Sequence, residues 1–229
     1  MATGLALTAA LTGLLVAGAI IGVFVYMVRT NSGVVTIDDR IARWAADNVN
    51  DLPFRLMTWI TQLGSTPVIL LLALAGGAYG VWRWRRPAIL LFLTIVVGGQ
   101  FLLMNPIKFL VDRVRPDFHR LSVFSGSSFP SGHSTAAAAT VTALAVVVGL
   151  GRSPGARALL IGVAVAIAVA VGCSRVLLGV HWFSDVIAGL ALGWSWFALC
   201  AVAFGGWMLN FGEPIETSAA GTSPGRGMP

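Results

Sequence analysis

The sequence predicts an all-α fold, a polytopic membrane helical bundle with six transmembrane helices and a short interfacial helix. Three observations carry that expectation. Of the 229 residues, 57% are hydrophobic and only 10% are charged, whereas a soluble domain carries about 25% charged residues. Apolar runs near or above the ~20 residues that cross a bilayer as helix recur at 4–28, 67–82, 87–104, 134–150, 156–173 and 186–209. The polar segments between them alternate between long connectors and tight turns, as they do when a chain shuttles between two faces.

The first run has no basic residue before Arg29, and it far exceeds the roughly 7–15 apolar residues of a secretory signal. It is expected as a retained helix. In the connector that follows, Ile37, Ile41, Trp44 and Ala45 recur at helical spacing behind Thr36. With Thr36 as the cap, that pattern predicts a short helix, either lying on the membrane surface or solvated in the loop. The second run is short for a span, and residues 56–63 can extend it across an interruption near Gly64 and Pro67. Trp82, Arg83, Trp84, Arg85, Arg86 and Pro87 form a basic turn, and GLGRSPG at 149–155 forms another. Parity of crossings puts both turns on one face. From Gly212 the chain fills with small residues, glycine and proline, the composition of a disordered tail. Residues 1–211 are therefore expected as one transmembrane domain and 212–229 as a tail.

The formal net charge is +6, but the arginines are scattered among membrane loops, which points to anionic lipid head groups rather than nucleic acid. Cys173 and Cys200 both fall within apolar helices and offer neither a disulfide nor a thiolate metal site.

The face opposite the basic turns receives the long connectors and nearly every titratable group, gathered in three constellations. In KFLVDRVRP, Lys108 and Arg115 bracket the exit of the third span; Lys108 is the only lysine among fifteen basic residues. Seven positions apart, the two share a face if the helix continues that far. In PSGH, Pro130 to His133, a helix start would aim the amides of Ser131 and Gly132 and a positive dipole end at the loop face, a ready anion site. In SRVLLGVHWFSD, His181 and Asp185 stand at i and i+4 with Arg175 six positions earlier, so the carboxylate can fix the imidazole tautomer and leave the other nitrogen a free lone pair. Taken singly, each also fits a structural role: a snorkelling lysine, an ordinary helix cap, a helix-surface hydrogen bond. All three at the same membrane face is what coincidence explains poorly. His119, in the same loop but outside the motifs, is expected to be solvated.

Together the three resemble the signature of the type-2 phosphatidic acid phosphatase superfamily, KxxxxxxRP, PSGH and SRxxxxxHxxxD, matched without a substitution or a change of spacing. The resemblance implies a membrane lipid phosphatase. It assigns phosphate binding to Lys108, Arg115, Ser131, Gly132 and Arg175, the nucleophile to His181, its orienting partner to Asp185 and the general acid to His133, with a phosphohistidine intermediate. It implies a lipid phosphate substrate such as a polyprenyl diphosphate, phosphatidylglycerophosphate or phosphatidic acid. A zinc site is the competing use of two histidines and an aspartate, but three adjacent cations oppose it, so no metal or other cofactor is expected. Phosphotransfer to a second acceptor and non-catalytic lipid binding or flipping are the alternatives; binding alone requires the cations but not a nucleophile and an acid. The positive-inside rule decides little, because six basic residues fall on the basic-turn face and nine on the motif face. The denser basic turns and the family's habit place a multi-pass protein in the cell membrane with its motifs on the extracytoplasmic face.

Overall fold

The computed structural model describes residues 2–117 and 126–205, and every regular element among them is an α-helix. In chain order these are α1 (Ala2–Arg29), α2 (Val34–Asn48), α3 (Asp51–Gln62), α4 (Thr66–Trp84), α5 (Ala88–Val111), α6 (Gly132–Gly149), α7 (Pro154–Leu177) and α8 (Phe183–Gly205). Six of them, all but α2 and α3, are long and apolar enough to cross a membrane. His119 and the expected tail at 212–229 lie outside the described residues.

Helix α6 is the axis of the bundle and packs against α4, α5, α7 and α8. Its inner length is made of small residues: Ala136, Ala137, Ala138, Ala139 and Ala143 are all buried. In lipid, helices associate through close packing rather than through apolar attraction, and small side chains permit that approach. Helix α8 meets α6 with glycines. A Cβ on Gly189 would stand 2.6 Å from the Ser131 carbonyl oxygen, and one on Gly193 would stand 2.5 Å from that of Thr135. Many leucines, by contrast, face outward, with Leu15, Leu71, Leu74, Leu102 and Leu159 each more than half exposed, as a lipid-facing surface requires.

The helix ends follow local chemistry. Ser153 caps α7, its side chain accepting from the Ala156 amide, with Pro154 at the first position. Arg85 and Asp112 end α4 and α5 in the left-handed conformation. The two basic turns meet on one face as parity requires, with Gly151 seated against the Trp84 ring.

Two sequence expectations change. Residues 56–62 belong to a separate helix, α3, with Leu63 as its C-cap, because the 3₁₀-type turn in which the Gly64 and Ser65 amides bond the Thr61 and Gln62 carbonyls closes it; α4 spans by its own 19 residues. Helix α2 starts after Gly33, whose φ of 58° favours glycine, so Thr36 lies inside the helix and is not its cap. On α2 the buried positions are Val34, Asp38, Ala42 and Ala45, while Ile37 and Trp44 point outward.

Candidate active site

Six helix ends converge on the motif face: the C-terminal ends of α1, α5 and α7 and the N-terminal ends of α4, α6 and α8. Helix α5 runs past Lys108 to Val111 and stops there, because Asp112 adopts φ 43°. Lys108 and Arg115 therefore do not share a helical face. Arg115 instead returns to the site from an extended loop, its Nε donating to the Gly126 carbonyl at 3.2 Å and its Nη1 to the Val180 carbonyl at 2.8 Å. Lys108 Nζ donates to the Ser127 carbonyl at 2.7 Å. These carbonyls position both cations without neutralising them.

The PSGH turn opens α6 with Ser131 as N-cap. Its hydroxyl oxygen accepts from the Ser134 amide at 3.5 Å and the Ser134 hydroxyl at 2.9 Å. The Ser131 amide, expected to face a ligand, is instead donated to the Asp185 carbonyl at 3.0 Å, because the glycine contact at Gly189 brings α8 that close. The first-turn amides of Gly132 and His133 remain as the helix-end donors. His133 lies within electrostatic reach of Arg175, His181, Arg115 and Lys108.

At the end of α7, Arg175 is buried, and its Nη1 donates to the Thr61 hydroxyl of α3 at 2.8 Å. Gly179, at φ 68°, turns the chain back so that the Val180 and His181 amides bond the Arg175 carbonyl. That turn presents His181. Its Nδ1 is 3.3 Å from Asp185 Oδ2, and Arg115 Nη1 is 3.1 Å from its Nε2. A guanidinium can only donate, so Nε2 carries the lone pair and Nδ1 the proton. Burial, with Arg175 and Arg115 nearby, pushes the His181 imidazole down to about 4 against the opposing pull of Asp185. It is neutral at physiological pH.

Sequence reasoning missed the residues behind this pair. Arg113 bridges Asp185 and Asp38, with Ser184 between them, and Thr61 supports Arg175. Arg113 was visible only as a filler position of the first motif, and Asp38 as a polar residue of α2.

On the membrane side, an apolar cavity of about 300 Å³ lies between α4 and α5, lined by Leu70, Leu74, Leu90, Val97 and Phe101 among others. Leu178, just past the end of α7, is buried in the fold. Among the described residues no three His, Cys, Asp or Glu side chains gather as a metal site would require.

The family model of the PAP2 superfamily matches residues 87–208, more than half of the chain and all three constellations. This chain belongs to the PAP2 superfamily. Among PAP2 relatives, phosphatidylglycerophosphatase B of Bacillus subtilis is 37% identical over 140 residues, 60% of this chain and 68% of that protein. The lipid A 1-phosphatases of Rhizobium johnstonii and Rhizobium etli are each 42% identical over 119 residues, 48% of this chain. The chain covers 44% and 46% of those two proteins, less than half of their length. The crystal structure of the first transmembrane PAP2 type phosphatidylglycerolphosphate phosphatase from Bacillus subtilis matches with a TM-score of 0.75 and 32% identity, covering 85% of this chain and 98% of that one. Aquifex aeolicus LpxE matches with a TM-score of 0.52 at 22% identity over 70% of this chain and 92% of that one, a likeness of fold alone. The chain is a membrane-embedded PAP2 lipid phosphatase, a hydrolase of phosphoric monoesters.

Proposed function

We propose that this phosphatase removes phosphate from lipid phosphate and diphosphate head groups through a phosphohistidine at His181. The tautomer carries the reading: with Nδ1 on Asp185 and the Nε2 lone pair facing Arg115, the imidazole is a neutral nucleophile aimed at the place where cations collect. Lys108, Arg115 and Arg175, with the Ser131 hydroxyl and the Gly132 amide, hold the phosphoryl oxygens and stabilise the charge spread over them in the transition state. Nε2 attacks phosphorus, the bond from phosphorus to the lipid oxygen breaks, and His133 protonates that oxygen as it leaves. In the second step His133 takes a proton from water, the oxygen of which attacks phosphorus; the N–P bond breaks and inorganic phosphate departs. Asp185 balances the positive charge that the ring acquires between the two steps.

The side-chain cations supply the positive charge that a metal would otherwise bring, so no metal is required and activity persists in excess EDTA. Abolition by the chelator with rescue by a divalent ion would overturn this.

The polar groups all address the phosphate, and the apolar cavity between α4 and α5 offers a lipid tail aliphatic surface. Aliphatic contacts discriminate by only about 1–3 kcal/mol per methylene, which favours breadth among lipids. The relatives support phosphatidylglycerophosphate and lipid A 1-phosphate as candidates, beside polyprenyl diphosphates and phosphatidic acid. A phosphate-release panel in detergent micelles, run on these lipids and one water-soluble ester, tests the proposal. Turnover of several lipids is expected; one lipid alone would overturn the breadth, and preference for the soluble ester would overturn the lipid reading. Phosphate released from a lipid as sole substrate separates hydrolysis from phosphotransfer.

A further inference from the structure

Arg113 lies between Lys108 and Arg115 in sequence but points away from the phosphate-facing side, toward two buried carboxylates. Its Nη1 donates to Asp185 Oδ1 at 2.7 Å and to Ser184 Oγ at 2.8 Å, and its Nη2 donates to Asp38 Oδ2 at 2.8 Å. Asp38, on α2, also accepts from the Ser184 amide at 2.8 Å and from the Ser184 hydroxyl. The Arg113 side chain is 8% exposed and both carboxylates 0%. The guanidinium sits 5.1 Å from the centroid of the Trp182 ring, whose Nε1 donates to the Val114 carbonyl at 2.8 Å. The backbone of Arg113 is held as well, its amide by Ser127 Oγ at 3.1 Å and its carbonyl by the Ser128 amide at 2.8 Å.

The Asp185 carboxylate is thereby divided. Oδ2 serves His181 Nδ1 and the Trp182 amide at 2.9 Å, while Oδ1 serves Arg113. A carboxylate held by three partners cannot rotate away from the imidazole. Two buried anions around one guanidinium also leave a surplus negative charge beside the ring, of the sign that the imidazolium of a phosphohistidine requires.

We infer that Arg113, anchored by Asp38 of the surface helix α2, is the positioning residue that fixes the Asp185 carboxylate and through it the attack angle of His181. The inference rests on the reading of His181 as nucleophile. Arg113 does not touch the phosphate, so its loss slows the chemical step and spares binding. The groups facing His181 from the surrounding elements are Asp185 on α8, Arg115 on its loop, His133 on α6 and Arg175 on α7, with Lys108 of α5 beyond them within reach of His133. Removing the Arg113 charge leaves Asp185 less compensated, which raises the proton affinity of His181.

The test compares wild type, Asp38→Asn and the double variant Asp38→Asn/Arg113→Gln in detergent, on a lipid phosphate that wild type hydrolyses. Arg113→Gln alone strands two buried carboxylates and threatens folding; the double variant removes the Asp38 ion pair as a unit and keeps the fold. The double variant is expected to lose about 10–100-fold in kcat with KM within about 3-fold, to show an acidic limb moved to higher pH, and to retain the thermal shift given by inorganic phosphate. Asp38→Asn, which keeps Arg113 on Asp185 but loosens its anchor, is expected to show a smaller loss of kcat at unchanged KM. Unchanged kcat in either folded variant, or a KM raised in proportion with an unmoved pH profile, overturns the inference and leaves the phosphatase reading standing. A wild type that releases no phosphate from any lipid overturns both.

Discussion

His181 is buried between one carboxylate and a cluster of cations, and in the proposed mechanism its protonation state decides whether it can attack. Its proton affinity is held below the ordinary imidazole value near 6.5, at about 4, chiefly by burial. Because the folded value lies below the unfolded one, protonation favours unfolding: the penalty is absent above about pH 6.5, grows as pH falls, and is complete below about 4. The same sign governs activity. The acidic limb of kcat/KM, corrected for ionisation of the substrate phosphate, is expected near pH 4; a limb near 6.5 would show that the ring is not buried as described. His181→Ala should insert normally and lose essentially all turnover, and wild-type-like phosphate release by that variant would end the phosphohistidine reading. Asp185→Asn should lower kcat by about 100-fold or more with a smaller change in KM, because it disturbs the tautomer while the cations that hold phosphate stay in place.

Between α6 and α8 the site depends on the absence of side chains. A methyl carbon added at Gly189 or Gly193 would meet a carbonyl oxygen of α6, at 2.6 Å and 2.5 Å respectively, and backbone yields less readily than a side-chain tip. Either substitution to alanine should destabilise the bundle by about 1–3 kcal/mol, read as a lower midpoint of thermal unfolding in detergent. The two should differ in activity. Gly189 abuts the carbonyl of Ser131, next to the amide that bonds Asp185, so Gly189→Ala should lose kcat beyond its loss of stability, while Gly193→Ala, one turn deeper, should lose mainly stability. Equal activity in the folded fractions of both variants would show that the α6 start is not set by this contact.

Across the bundle as a body, the motif residues occupy one face and the two basic turns the other, with the spans between them. The expectation that the motifs face the extracytoplasmic side rests on the density of arginines in the basic turns. In a variant with Cys173 and Cys200 replaced, a cysteine at Ser153 should react with a membrane-impermeant maleimide only in inside-out vesicles. Labelling of right-side-out vesicles would reverse the orientation and place the chemistry on the cytoplasmic side.

The six spans and the three motifs are written in the chain alone. Spans are legible because crossing a bilayer requires an uninterrupted apolar run, a local property; the three motifs are legible because phosphate chemistry restricts residue type at fixed spacing, as at His181 and Asp185. How the groups meet is settled by packing. Arg115 reaches His181 from a loop rather than along α5 because Asp112 ends that helix, and the Ser131 amide is taken by α8 rather than left to a ligand. The supports of the site were invisible in the chain: Asp38 lies 75 positions from Arg113 and 146 from Ser184, and Thr61 lies 114 from Arg175. No periodicity or spacing rule links residues so far apart. A buried carboxylate finds its partner only when helix packing removes water from both, and that packing is set by the small residues along α6 and α8 rather than by the polar residues it brings together.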